Sequence, residues 1–206
     1  MRRLRTMSVV AALVLLASGA VSANPNQITA AIDEASASCR GVSKQIWDLK
    51  ELGQQELKSA ALLKEELAKL GYKVSGDLKV PEDLVKDGVS RTGFKAEMTG
   101  KGAGPTVVFM LEYDALPNGH ACGHNLLATS GLLAAAGLAK VMKDTPGRVL
   151  IIGTPDEERG SMGGGKVALL EGGHFEGTDV VFTIHPGDRW SLDQRYLAMK
   201  RATFTF

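Results

Sequence analysis

Four short apolar runs, 93–99, 106–113, 148–153 and 179–184, stand among stretches of helical spacing, and this alternation constrains the fold more than any other feature of the chain. Strands that alternate with helices argue an α/β domain built on a largely parallel sheet. Between Gln27 and Leu70 the apolar residues Ile46, Leu49, Leu52, Leu57, Ala60, Leu63, Leu67 and Leu70 recur at helical spacing. The pattern predicts two helices broken near Gly53 and stopped by Gly71. Tyr72 to Val80 reads as extended, and Pro81 to Gly88 as a polar turn. The first two apolar runs are joined by Gly100-Lys101-Gly102-Ala103-Gly104-Pro105, which suits a hairpin or a tight crossover. Asn125 to Met142, rich in Leu and Ala and broken only by Gly131 and Gly137, reads as a helix; a shorter one begins at Gly165. The fourth run is expected to be a buried strand.

With 206 residues the chain has material for one sizeable domain and too little for two of ordinary size. Residues 1–23 are of a different kind: Arg2, Arg3 and Arg5 precede the apolar run Val9 to Leu16, followed by small residues ending in Val21-Ser22-Ala23. That is the layout of a secretory signal peptide cleaved near Ala23, and it predicts a periplasmic or secreted product. The apolar stretch from Met7 to Val21 is 15 residues, short for a membrane span, and the rest contains no longer one. No membrane association is therefore expected after the signal is removed. Its loss takes three arginines and no acid, moving the formal charge from +1 to 21 − 23 = −2. That balance gives a nucleic-acid partner no support. Two cysteines, Cys39 and Cys122, could pair in an oxidising compartment, but Cys122 lies between two histidines, where a metal-bound thiolate is the better use.

The candidate chemistry gathers at strand ends, where open α/β sheets bind ligands. In His120-Ala121-Cys122-Gly123-His124 three possible ligands alternate with small residues, so an extended backbone would turn all three to one side. His124 opens a helix whose dipole favours a neutral ring, able to ligate. Asp156, Glu157 and Glu158 follow the third run and would repel one another without a cation or solvent between them. Metal hydrolases use such neighbours separately, one carboxylate ligating while the other takes a proton. His185 follows the fourth run, and Glu112 and Asp114 close the second. The Cys/His pair, the acidic pair Glu157-Glu158 and His185 form a mixed sulfur, nitrogen and oxygen set suited to zinc, manganese or a related divalent ion. The segment Gly160 to Val167 imitates the start of a phosphate-binding loop, but Val167 stands where a hydroxyl is needed, so nucleotide binding is not expected.

Leu111-Glu112-Tyr113-Asp114-Ala115-Leu116-Pro117, His120 to Asn125, Gly153 to Glu158, Gly163-Gly164-Gly165-Lys166 and Ile184-His185-Pro186 together resemble the metal-dependent aminoacylase and carboxypeptidase family, peptidase family M20. The branch they are most similar to has a cysteine ligand and includes aminobenzoyl-glutamate hydrolases, indoleacetyl-amino-acid hydrolases and peptidase domain-containing dipeptidases. Glu56 and Ser59, near Trp47, lie in a stretch similar to the family's opening. The resemblance implies a zinc-peptidase-like, three-layer α/β catalytic domain with a mostly parallel central sheet. It implies two divalent metal ions, with Cys122 bridging them and His124, Glu158 and His185 as further ligands. Glu157 becomes the general base, Asp114 a partner that orients a ligand, and His120 a residue near the metals without an assigned role.

The implied reaction is hydrolysis of the amide bond in a small N-acyl amino acid or dipeptide, and the implied assembly is a homodimer. Asn125 stands where many members have Asp, which the cysteine branch tolerates. The family also inserts a lid and dimerisation domain after a strand like the one from Tyr196 to Phe206, then returns to the catalytic domain with one more metal-binding histidine. The expected organisation is therefore a signal peptide at 1–23, catalytic-domain sequence at 24–195 and the start of a lid at 196–206. The chain then corresponds to the N-terminal portion of such an enzyme. Its rivals are an inactive fragment, an exported metal-binding protein without hydrolase activity, and a metal-independent thiol hydrolase using Cys122 with His120 or His124.

Overall fold

The computed structural model describes residues 24–81, 89–158, 164–189, 191–192 and 204–205. The signal-peptide segment, most of the 81–88 turn, the start of the phosphate-loop imitation and nearly all of 196–206 lie outside the described residues.

Asn24 begins the structure as an N-cap, its side chain accepting the Asn26 N–H, and Pro25 fills the first turn of helix α1, Pro25–Leu49. Lys50, in the left-handed region, ends it. Helix α2 spans Leu57–Lys69, so the expected break between two helices falls at residues 50–56. Strand β1 (Lys73–Gly76), the short helix α3 (Val89–Thr92), β2 (Phe94–Thr99) and β3 (Thr106–Leu111) follow. Helix α4 (His124–Ala139), a 3₁₀ turn, β4 (Arg148–Gly153), α5 (Gly164–Glu171) and β5 (Val180–Phe182) complete the order.

The sheet runs β1-β2-β4-β3-β5. β3 pairs in parallel with both β4 and β5, whereas β1–β2 and β2–β4 are antiparallel. The domain is α/β as expected, and its sheet is mixed, the parallel strands gathered at one side. β2 and β3 do not form a hairpin, because β4 lies between them. The glycine-rich link carries the chain across β4, with the Gly100 and Lys101 N–H groups donating to the Gly147 and Thr145 carbonyls beside it.

Period-2 alternation sends the side chains of β4 to opposite faces. Val149 and Ile151 join Phe94, Ala96 and Leu111 in a core with α1, α2 and α4, while Leu150 and Ile152 join Val108 in a second core with Ala168 and Leu169 of α5. These are three layers, helices on both faces of one sheet, and they explain why β4 is a continuous apolar run. Gly131 is what lets α4 lie so close: a Cβ there would stand 1.9 Å from Leu111 Cδ2.

β5 is a correction to the expectation of a buried strand. Val180, Val181 and Phe182 are 43–49% exposed, because only β3 flanks this edge and the described helices stop short of it. Among the described residues no helix is long and apolar enough to cross a membrane.

Candidate metal centre

The loop after β3 turns to one face of the sheet, into α4, and the loop after β4 turns to the other, into α5. Such a switch opens a crevice at the strands' carboxyl ends. Thr154 bridges it by donating both its N–H (2.8 Å) and its hydroxyl (3.1 Å) to the Leu111 carbonyl. Glu112 and Asp114 enter from one strand end, Glu157 and Glu158 from the other, and His185 from the end of β5.

His124 is the hub. It is fully buried at the first position of α4, after Gly123 at φ +85°. Its Nδ1 donates to the Asp114 carboxylate (2.9 Å) and lies 3.0 Å from the Asp114 carbonyl. Nε2 faces Glu112 Oε2 at 3.1 Å, and Glu157 Oε2 and Glu158 Oε1 both at 3.7 Å. Asp114 also accepts the Glu158 N–H at 2.8 Å through its other oxygen, so one carboxylate positions groups from both strand ends.

Cys122 Sγ lies 3.6 Å from His185 Nε2, and the two histidine rings meet edge to face at 5.6 Å. Cys122, His124 and His185 present donor atoms within 4.8 Å of one another, and so do Glu112, His124 and Glu157. Glu112 Oε2, His124 Nε2 and Glu158 Oε1 are buried without a hydrogen-bond partner. Orphaned donors and acceptors of this kind are costly, and their convergence suits a divalent cation. The residues present therefore fit a metal centre.

Electrostatics here departs from the expectation for His124. Burial disfavours its charged form, but the hydrogen bond to Asp114 and the charges of the Asp114 and Glu112 carboxylates outweigh burial and hold the imidazolium well above its usual range. Burial would also raise Glu112, yet His124 and Lys166 hold it well below the usual carboxylate range. Burial first, then Glu158, Glu157 and Glu112, push the Cys122 thiol up to about 11. The nearby carboxylates thus oppose a thiolate in the metal-free chain.

Not every expected residue arrives. His120 turns away from the cluster: its Nε2 lies 3.0 Å from the Ile46 carbonyl of α1 and its ring stacks on Trp47. The 120–123 backbone is a turn rather than a strand, so the alternation argument does not hold for its first member. Asn125 donates to Ser43 Oγ (2.9 Å), tying α4 to α1. Cys39 is buried in the core and Cys122 lies in the crevice, both as free thiols.

Three further residues shape the site without a role that the sequence alone assigns them. Glu112, two residues before Asp114 on the same strand end, is recognisable from that spacing. Lys166, the lysine of the phosphate-loop imitation, instead places Nζ 2.5 Å from Glu112 Oε1 and 3.6 Å from Glu157 Oε1. Glu56, fully buried beneath the acidic loop, accepts the Asp156 N–H at 2.8 Å, while Gln54 donates to the Asp156 carboxylate at 2.9 Å. Asp156 sits at φ +60°, a conformation uncommon outside glycine, and these contacts hold it there. Ser59 is held by Glu51, which accepts both its N–H and its hydroxyl.

Residues 107–199 match Peptidase family M20/M25/M40. The Xaa-Arg dipeptidase of Mus musculus is 38% identical over 75% of this chain and 36% of its own length. A p-aminobenzoyl-glutamate hydrolase polypeptide of Escherichia coli (strain K12) is 31% identical over 70% of this chain and 31% of its own. Among solved structures, the YXEP protein of Bacillus subtilis, a dinuclear metal binding peptidase from the M20 family, superposes with a TM-score of 0.60 at 25% identity, over 74% of this chain and 44% of that one. The chain thus spans about a third of the length of the curated relatives it matches.

Proposed function

We propose, for a chain that shares sequence and fold with the M20/M25/M40 peptidases, that the crevice is a two-metal centre in which Cys122, His124, Glu158 and His185 are ligands and Glu157 is the general base of amide hydrolysis. The observation that carries this reading is the convergence of buried, unpartnered donor atoms around His124 Nε2. Bound divalent ions supply Lewis acidity to an amide carbonyl and to water.

The chain's own residues divide the remaining work. Glu158 and Glu157 lie equally far from His124 Nε2, but their surroundings differ. Glu158 Oε1 is buried without a partner and its main chain is pinned by Asp114, which suits a fixed ligand. The Glu157 side chain is 35% exposed, open to substrate and solvent, which suits taking a proton from water and returning it to the departing amine. Asp114 fixes which nitrogen of His124 faces the centre. Zinc or manganese fits the mixed donor set.

The relatives are a dipeptidase and a hydrolase of an aminobenzoyl-amino acid, so the substrate class proposed is a small N-acyl amino acid or dipeptide. A homodimer is the proposed assembly, with no nucleic-acid partner. Export with loss of residues 1–23 is the proposed localisation; Edman sequencing of periplasmic material checks it, and an intact Met1 there counts against it.

The test combines metal content with hydrolysis of Xaa-Arg dipeptides and N-acetyl amino acids. A chelator should abolish turnover and Zn²⁺ or Mn²⁺ restore it, whereas Glu157→Gln should lose turnover with metal content nearly unchanged. Loss of metal in that variant would sink the base assignment, and chelator-resistant activity would favour the thiol hydrolase. One observation favours a second reading, a chain that binds a single ion without turnover. If Cys122 is shared, the other three proposed ligands are too few to give both ions three protein donors. A stoichiometry of one ion per chain with no hydrolysis would select it.

A further inference from the structure

Lys166 takes no part in the ligand set, yet the fold goes to some length to place it. Gly164 and Gly165 press the start of α5 onto the loop after β4, where a Cβ on either would stand 2.1 Å from the Asp156 or Pro155 carbonyl. The Gly165 N–H donates to the Pro155 carbonyl at 3.1 Å, fixing that approach. One residue later Lys166 extends over the acids, its side chain 32% exposed, to reach a Glu112 carboxylate that is 4% exposed. The other oxygen of that carboxylate, Oε2, is buried without a hydrogen bond and faces His124 Nε2.

We infer that Lys166 is the internal counter-ion of the centre: by holding Glu112 through Oε1 and standing beside Glu157, its ammonium withholds a third carboxylate and limits how tightly a divalent ion is held. Two elementary effects act in the same direction. A fixed positive charge a few ångströms from a cation raises that cation's energy, more so where water is excluded. A carboxylate already bound to an ammonium is also a weaker donor, and its geometry is set by the lysine rather than by the ion. Without Lys166, Glu112 and Glu157 would face each other and His124 with no fixed countercharge on this side. The metal-free chain would then leave both carboxylates to the single charge of His124, which Asp114 already engages, and the buried Glu112 would be only partly compensated. Lys166 is thus a positioning residue that exchanges some metal affinity for order in the metal-free state.

The inference rests on the metal-centre reading for its effect on affinity, but not for the ion pair itself. The test uses the 206-residue chain freed of metal, with Lys166→Met, Lys166→Arg, Glu112→Gln and the double variant Glu112→Gln/Lys166→Met. Zn²⁺ affinity is read by competition with a chromophoric chelator, and metal-free stability by urea unfolding. Lys166→Met should bind Zn²⁺ roughly tenfold more tightly, Lys166→Arg should stay close to the parent, and the gain should vanish in the Glu112→Gln background. Without metal, Lys166→Met should unfold at lower urea and the double variant should recover. Unchanged or weaker Zn²⁺ binding by Lys166→Met, or an equal gain with and without Glu112, overturns the inference while leaving the centre intact. A parent chain that takes up no Zn²⁺ overturns the centre and the claim on affinity together. The urea arm then still decides the ion pair, which fails if the double variant shows no recovery.

Discussion

His124 Nδ1 and the Asp114 carboxylate are 2.9 Å apart in a site where both side chains are fully buried, and Asp114 reaches onward to the Glu158 N–H. One carboxylate therefore sets the orientation of two proposed ligands drawn from different strand ends. Asp114→Asn keeps one acceptor but turns an amide N–H toward either His124 or the Glu158 main chain. Divalent-ion affinity is expected to fall about 10–100-fold, the usual cost of losing such a partner, with the circular dichroism spectrum unchanged. Calorimetric titration with Zn²⁺ measures it, and parental affinity would show that Asp114 does not orient the ligands.

Two glycines of the helical layer should respond in opposite directions. Gly131 lies against the fully buried Leu111, and Gly131→Ala is expected to cost about 1–3 kcal/mol through overpacking. Gly41, on the exposed side of α1, has nothing within 4 Å of a new Cβ. Gly41→Ala should stabilise by about 0.5–1 kcal/mol because alanine loses less backbone entropy in a helix. Urea unfolding of the two variants, compared with the parent, checks the sign of each. Equal responses would mean that α4 does not approach β3 as closely as described.

Much of the layer structure was legible because it follows from local periodicity. The limits of β4 were readable from the apolar run Val149 to Ile152, and those of α1 and α2 from leucine spacing and Gly71. Strand order was not, because the insertion of β4 between β2 and β3 is a long-range pairing to which the glycine-rich link is indifferent. The exposure of Val180, Val181 and Phe182 was equally hidden, since an apolar run looks the same at an edge as in the middle of a sheet. The site divides along the same line. Cys122, His124, Glu157, Glu158 and His185 were identifiable by residue type and strand-end position, and the fold gathers them. The direction of the His120 ring was not legible, because it is decided by Ile46 and Trp47 of α1, some 70 positions away in sequence. Lys166 was obscured by its resemblance to a phosphate-binding lysine, and its partner Glu112 is reached only through the packing of α5 on the opposite face.

The Cys122 thiol offers a direct probe of the acids around it. With its pKa raised from 9.0 to about 11, the metal-free chain should hold very little thiolate at pH 8, and iodoacetamide should react slowly. Cys39, buried in the core, should react more slowly still. After burial, Glu158 is the foremost cause of the shift, so Glu158→Gln should lower the apparent pKa and speed alkylation, and Zn²⁺ should protect the thiol in the parent. Mass spectrometry of the alkylated peptide across a pH series reads all three effects. An apparent pKa near 9, or slower alkylation in Glu158→Gln, would contradict the described surroundings.

Glu56 makes stability depend on pH in a direction that can be worked out. Burial is the largest effect on it and raises its pKa. Its own main chain, the Asp156 N–H and Thr92 lower it, the charge of Asp114 raises it, and the net result is about 7 against an ordinary 4.5. A folded pKa above the unfolded one means that the fold favours the protonated acid. Its contribution is fully present below about pH 4.5 and is lost as pH rises through about 7, a difference of up to about 3 kcal/mol. His124, also raised, shifts stability in the same direction at higher pH, so the parent profile alone does not isolate Glu56. Glu56→Gln does, because a glutamine can accept the Asp156 N–H at every pH and cannot ionise. Urea midpoints of the metal-free parent should fall between pH 5 and pH 8, and the variant's should fall distinctly less. Parallel profiles would mean that Glu56 is already ionised at pH 5, and that the acidic loop rests on a charged carboxylate rather than a neutral one.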